Sequence, residues 1–147
     1  MQNWTIHTDG NTSETNPGPG ACAAILESSD YAFPVLNLAA FLGVVSNNQA
    51  EYLGVILGLS EARRLGVQNV LVLSDSKLVV EQMSGRWKVK HPIIARLHAQ
   101  ALEVADGFQT CSFEHIPREQ NEAADALADS VLAAVLSLTN KENTNGR

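Results

Sequence analysis

The sequence predicts an α/β fold: a mixed five-stranded sheet, three antiparallel strands then parallel strands, with helices on both faces. Three observations predict it. Three strand-like stretches crowd the chain before Ser46 with only turn chemistry between them, and strands so close in sequence usually pair antiparallel. After Ser46 helical and strand patterns alternate. Within that half, Val70-Leu71-Val72-Leu73 is an unbroken apolar run, the mark of a strand covered on both faces.

In order, Trp4, Ile6 and Thr8 alternate with Thr5, His7 and Asp9, a period of two that reads as the first strand. Gly10 and Asn11 are expected to break it, and the stretch from Asn11 to Gly20 is rich in turn residues throughout. Ala21 to Leu26 reads as the second strand. Polar residues from Glu27 to Asp30, with Pro34, mark a reversal, and Leu38 to Val45 is the third strand. Ser46-Asn47-Asn48 offers helix-capping side chains ahead of a helix from Ala50 to Leu65, stopped by Gly66. On that helix Glu51, Val55, Gly58 and Ala62 share one face. A carboxylate so near a helix start either serves the helix dipole or is directed at the sheet. The fourth strand ends at Ser74-Asp75, and Ser76 to Met83 is a short helix. Ser84-Gly85 breaks the chain. Pro92 starts a helix running from Ile93 to Ala105. Thr110 to Ile116 alternates as the fifth strand. Asn121 is expected to cap a long helix from Glu122 to about Leu138, leaving residues 140–147 as a polar, disordered tail after a single domain of residues 1–139.

Composition narrows the functional classes. A chain of 147 residues with 45% apolar content can bury a core without staples. No apolar run approaches the roughly 20 residues that span a bilayer, and no signal peptide is visible, so a cytoplasmic monomer without a membrane or an obligatory protein partner is expected. Cys22 and Cys111 lie far apart and read as reduced thiols. A net charge of -6 argues against a nucleic-acid partner. The distribution argues otherwise: from Gln82 to Leu102 no acid occurs, while Arg86, Lys88, Lys90 and Arg96 do. That segment is either a solvated face or a footprint for phosphates.

Four carboxylates stand at element ends: Asp9, Glu51, Asp75 and Asp125. An acid where a buried strand meets a helix occupies the usual ligand position of open α/β sheets. If the four converge, they repel strongly in a partly buried site, and all-oxygen ligands of this kind suit Mg²⁺ or Mn²⁺ and chemistry on phosphates. Spacing alone does not establish convergence.

Five stretches carry a resemblance: Thr8-Asp9-Gly10-Asn11, Asn16-Pro17-Gly18-Pro19-Gly20, Asn48-Gln49-Ala50-Glu51-Tyr52, Leu73-Ser74-Asp75-Ser76, and Arg118 through Ala128. In this order they resemble type 1 ribonuclease H, over about residues 4 to 130. The resemblance implies a ribonuclease H-like fold and endonucleolytic cleavage of the RNA strand of an RNA–DNA hybrid, giving 5′-phosphate and 3′-hydroxyl ends. It implies two Mg²⁺ per site, with Mn²⁺ as an alternative. Asp9 would bridge both metals, Asp125 would hold the one that activates water, and Glu51 and Asp75 the one near the leaving group. Glu51 would also lie near a ribose 2′-hydroxyl. Asn16, Asn47 and Asn48 match positions that read the minor groove, and Ser46 matches a hydroxyl residue that helps hold a DNA phosphate.

The chain departs from the family pattern in two places. His115 is similar to a mobile loop histidine of the family, yet the spacing to Asn121 and Asp125 sets it inside the fifth strand and leaves Arg118 in the short loop as the assisting group. Between Asp75 and Pro92 only Gly85-Arg86-Trp87-Lys88-Val89-Lys90 stands where many members carry a longer basic protrusion, and no N-terminal hybrid-binding domain is seen. Trp87 and Lys88 are the candidates for contact with the DNA strand, or else Trp87 is a packing residue. Related specificities remain open: double-stranded RNA, four-way junctions, or a non-catalytic nucleic-acid-binding domain.

Overall fold

The computed structural model describes residues 3–31 and 33–145, with side chains described through 140. Its strands are β1 (Asn3–Thr12), β2 (Gly18–Ser28), β3 (Leu36–Val45), β4 (Asn69–Ser74) and β5 (Thr110–His115). Its helices are α1 (Asn47–Arg64), α2 (Lys77–Met83), α3 (Pro92–Ala105) and α4 (Glu122–Asn145), with a 3₁₀ turn at Arg118–Gln120. The sheet order is β3-β2-β1-β4-β5. The pairs β1–β2 and β2–β3 are antiparallel, and β1–β4 and β4–β5 are parallel. This is the mixed architecture the sequence predicts.

The register explains where function can sit. β1 and β4 run side by side with Thr8 opposite Ser74, so Asp9 and Asp75 each stand one residue beyond a paired position. The core lies on the side of α1 and α3, where Trp4, Ile6, Leu26, Tyr52, Val55, Leu59, Val72, Ile94 and Phe108 are buried together. α4 packs along β1, β2 and β3, burying Ala124, Ala128 and Leu132.

Three expectations are corrected. Gly10 and Asn11 do not break β1, which continues through Thr12. Gly10 is there for close approach: a Cβ on it would lie 2.2 Å from the Ala50 carbonyl carbon and 2.3 Å from the Glu51 nitrogen. Its missing side chain lets the start of α1 rest directly on the strand. Asn121 does not serve as a side-chain cap; its Nδ2 donates instead to the Thr8 carbonyl at 2.9 Å, in the interior. α4 runs past Leu138 to Asn145, so the stretch expected as a polar tail continues the helix, and residues 146 and 147 lie outside the described residues. The cap of α1 follows the sequence reading. Ser46 and Gln49 form a reciprocal capping box, with Ser46 Oγ accepting from the Gln49 N–H at 3.1 Å and Gln49 Oε1 accepting from the Ser46 N–H at 2.7 Å.

Candidate active site

The carboxyl ends of β1 and β4, the first turns of α1 and α4, and the 3₁₀ turn close around a polar groove of about 430 Å³. Its lining includes Asp9, Glu51, Asp75, Asp125, Arg118, Asn47 and Asn48. All four acids therefore converge, and one oxygen each from Asp9, Glu51 and Asp75 lie within 4.8 Å of one another. Glu51 is directed at the sheet rather than along the helix axis, because its backbone sits on Gly10.

The electrostatics are those of a cluster of like charges. Asp9 is 2% exposed. Burial, followed by the facing Asp125 and the negative charge of Asp75, pushes its carboxyl up to about 7. Glu51 is raised well above the usual carboxylate range, first by burial and then by the Asp9 carboxylate, against a backbone N–H of Gly10 that favours its charged form. Asp9 Oδ2 and Glu51 Oε2 are buried without a hydrogen-bond partner among the described residues. Such orphaned acceptors are costly unless something positive meets them. Hard, all-oxygen donors with unused lone pairs fit a divalent cation of the Mg²⁺ class.

Asp125 is held differently. Asn11 Nδ2 donates to Asp125 Oδ1 at 2.8 Å and to Asp129 Oδ1 at 3.0 Å. Arg118 Nη2 stands 4.0 Å from Asp125 Oδ1 with 79% of its side chain exposed. His115 is in β5, as the spacing predicts, and its Nε2 donates to the Asp75 carbonyl at 3.2 Å. Asn16 is outside the groove lining but its Oδ1 accepts from the Asn47 N–H at 2.9 Å, while Thr12 Oγ1 donates to Asn47 Oδ1 at 2.7 Å. Ser46 is the cap of α1, its hydroxyl oxygen accepting from the Gln49 N–H. Trp87 and Lys88 do not line the groove. Trp87 is 45% exposed and not a core residue, and its ring lies 5.9 Å from Lys77 Nζ at the start of α2.

Sequence reasoning missed Asn11 and Asp129, which both line the groove. A strand running through Gly10 puts Asn11 on the same face as Asp9, and Asp129 follows Asp125 by one helical turn. Reading Gly10 as a break hid the first signal.

A family model described as "Reverse transcriptase-like" matches residues 7–131. The RNase H1 of the halophilic archaeon Halobacterium salinarum superposes with a TM-score of 0.84 at 35% identity, covering 90% of this chain and 98% of that structure. The chain belongs to the type 1 ribonuclease H family. The N-terminal RNase H domain of Rv2228c from Mycobacterium tuberculosis gives a TM-score of 0.88 at 40% identity, covering 95% of this chain and 99% of that domain. The whole mycobacterial protein, named bifunctional, is 44% identical over 129 residues, and the chain spans 35% of its length. LC11-RNase H1, solved in complex with an RNA/DNA hybrid, gives a TM-score of 0.83 at 31% identity over 90% of this chain and 99% of that one. With ribonuclease H established as the family, the acidic groove at the ends of β1 and β4 is its candidate active site.

Proposed function

We propose that this ribonuclease H is a metal-dependent endonuclease that hydrolyses the RNA strand of RNA–DNA hybrids, leaving 5′-phosphate and 3′-hydroxyl ends. The observation that carries the reading is the convergence of four carboxylates, two of them each with a buried oxygen that lacks a partner among the described residues. The hybrid-bound relative supports the choice of substrate.

Asp9, between Glu51 and Asp125, is the ligand that two cations would share; Asp125 would complete the position beside the attacking water, and Glu51 and Asp75 the position beside the leaving oxygen. Bound Mg²⁺ or Mn²⁺ would supply Lewis acidity, lowering the pKa of a water and offsetting charge on the phosphate. Burial keeps Asp9 fixed and poorly solvated, so its charge is committed to ligands rather than to water. The Asn11 amide holds Asp125 in one rotamer. Arg118, always protonated, cannot act as a base; it lies near enough to Asp125 to hydrogen-bond a phosphate entering the groove. The linked Asn16, Thr12 and Asn47 form a polar rim beside Asn48 that suits minor-groove edges and 2′-hydroxyls. Ser46 adds a hydroxyl for a phosphate, and Trp87 with Lys88 supplies an aromatic face and a cation for the DNA strand. Contacts to shape and sugar rather than base edges make cleavage largely independent of sequence.

The test is cleavage of labelled RNA–DNA hybrid, double-stranded RNA and double-stranded DNA, each with Mg²⁺, Mn²⁺ or chelator. Hybrid cut only with metal, in the RNA strand, and with the stated ends is the expected result. No hybrid cleavage under any metal would sink the reading.

A further inference from the structure

The basic segment after α2 is built by its sequence in a specific way. α2 ends at Met83, Ser84 is its C-cap, and Gly85 follows with φ of +80°. The Gly85 N–H donates to the Gln82 carbonyl at 3.1 Å and the Arg86 N–H to the Glu81 carbonyl at 2.9 Å, the paired bonds of a Schellman turn. The Trp87 N–H also reaches the Glu81 carbonyl, at 3.1 Å, and the Arg86 side chain pairs with Glu81 at 2.6 Å. Backbone geometry thus fixes the chain as far as Trp87. Lys88, the next residue, is held by a side chain: Gln82 Nε2 donates to the Lys88 carbonyl at 3.3 Å.

Gln82 is 6% exposed and every polar part of it is engaged. Its Oε1 accepts from the hydroxyl of fully buried Tyr52 at 2.6 Å, and its carbonyl accepts from His98 Nε2 on α3 at 3.1 Å. A buried amide is costly unless bonded in this way, and removing it would leave the buried Tyr52 hydroxyl without its acceptor. Tyr52 directly follows Glu51 of the groove. One amide therefore ties the acid-bearing helix to the point where the basic segment leaves α2.

We propose that Gln82 is a positioning residue for nucleic-acid binding: it sets where Lys88 stands relative to the acidic groove. The proposal rests on the reading that the basic segment contacts the hybrid.

The experiment measures binding of a fluorescently labelled RNA–DNA hybrid across a salt series in an Asp9→Asn background, with melting temperatures alongside. Gln82→Met removes both side-chain bonds; Gln82→Glu keeps an acceptor for Tyr52 and loses the donor to Lys88, and it serves if the methionine variant does not fold. Both variants are expected to weaken binding several-fold and flatten its salt dependence, as Lys88→Ala does. Gln82→Met combined with Lys88→Ala should be no weaker than Lys88→Ala alone, since residues acting through one another are non-additive. Tyr52→Phe, which cuts the tie to α1 and keeps the Gln82–Lys88 bond, should lower the melting temperature and weaken binding less than Gln82→Met does. Additive effects of Gln82→Met and Lys88→Ala, a matching affinity loss in Tyr52→Phe, or unchanged binding in both Gln82 variants while Lys88→Ala is weakened would each overturn the proposal. If neither Lys88→Ala nor Trp87→Ala weakens binding, the basic segment itself has no role and the proposal falls with it, a result distinct from failure at Gln82 alone.

Discussion

The acidic groove and the basic segment are built by opposite means. The groove gathers charges of one sign from β1, β4, α1 and α4, and in two of them buries one oxygen that has no partner among the described residues. The segment from Arg86 to Lys90 is held mostly by nearby residues: a helix end, a left-handed glycine and a surface ion pair set it as far as Trp87, the buried Gln82 amide holds the Lys88 carbonyl, and its charged groups face water. A site that concentrates repulsion needs tertiary structure throughout to enforce it, whereas a site that spreads attraction along a backbone needs a turn and one buried amide. The first should respond in turnover and metal dependence, the second in affinity and salt.

The strongest attempt to break this contrast is Asp9→Asn. Hybrid cleavage should fall on the order of a thousandfold or more, with hybrid binding retained; cleavage within tenfold of the parent protein would place the centre of the groove elsewhere. Arg118→Ala comes next, with turnover lowered roughly ten- to hundredfold, as for groups that orient a metal site from outside it. His115→Ala should change chiefly stability, because its Nε2 bonds a backbone carbonyl. Equal turnover of Arg118→Ala and parent would remove arginine from the assisting role. Lys88→Ala should leave saturated turnover unchanged while weakening the hybrid and reducing the log–log salt slope by about 1; an unaltered slope would mean the lysine meets no phosphate.

The smallest effect concerns stability in chelator. Asp9 titrates near 7 in the fold because burial and neighbouring acids oppose its charge, and at about 4 in the unfolded chain. Between those values the folded state holds the extra proton, so stability should fall as pH rises from about 4 to about 7 and level off above. Asp9→Asn should remove that part of the slope and leave the variant more stable near neutral pH. Melting curves at several pH values, with and without Mg²⁺, check the sign, and divalent cation should stabilise the parent most where the carboxyl is ionised.

The two regions were also unequally legible in the sequence. The acids announced themselves because each stands where a periodic pattern changes: Asp75 after a continuous apolar run, Asp125 just past Asn121, Glu51 behind capping residues. The succession of strands and helices along the chain followed from spacing, and Ser46, Ser76 and Pro92 marked their helix starts where the structure has them. What stayed hidden depends on partners distant in sequence. Gly10 carries two meanings, a turn former and a residue that permits contact, and only α1 lying on β1 selects between them. Asn121 looks like a cap until the Thr8 carbonyl is beside it. Gln82 gives no sequence signal at all, since a glutamine on a short helix is ordinarily solvated.

The Asn121–Thr8 bond spans 113 positions of the chain, and the parallel β1–β4 pair cannot close until the helix between them exists. During synthesis β1 must wait, unpaired on that side, until β4 at residues 69–74 emerges. Non-local pairing of this kind is slow and leaves strand edges open. A nascent chain cut short before α4 would hold Asp9, Glu51 and Asp75 but neither Asp125 nor the latch behind it. Hydrolytic competence is therefore acquired late and abruptly, with the last helix.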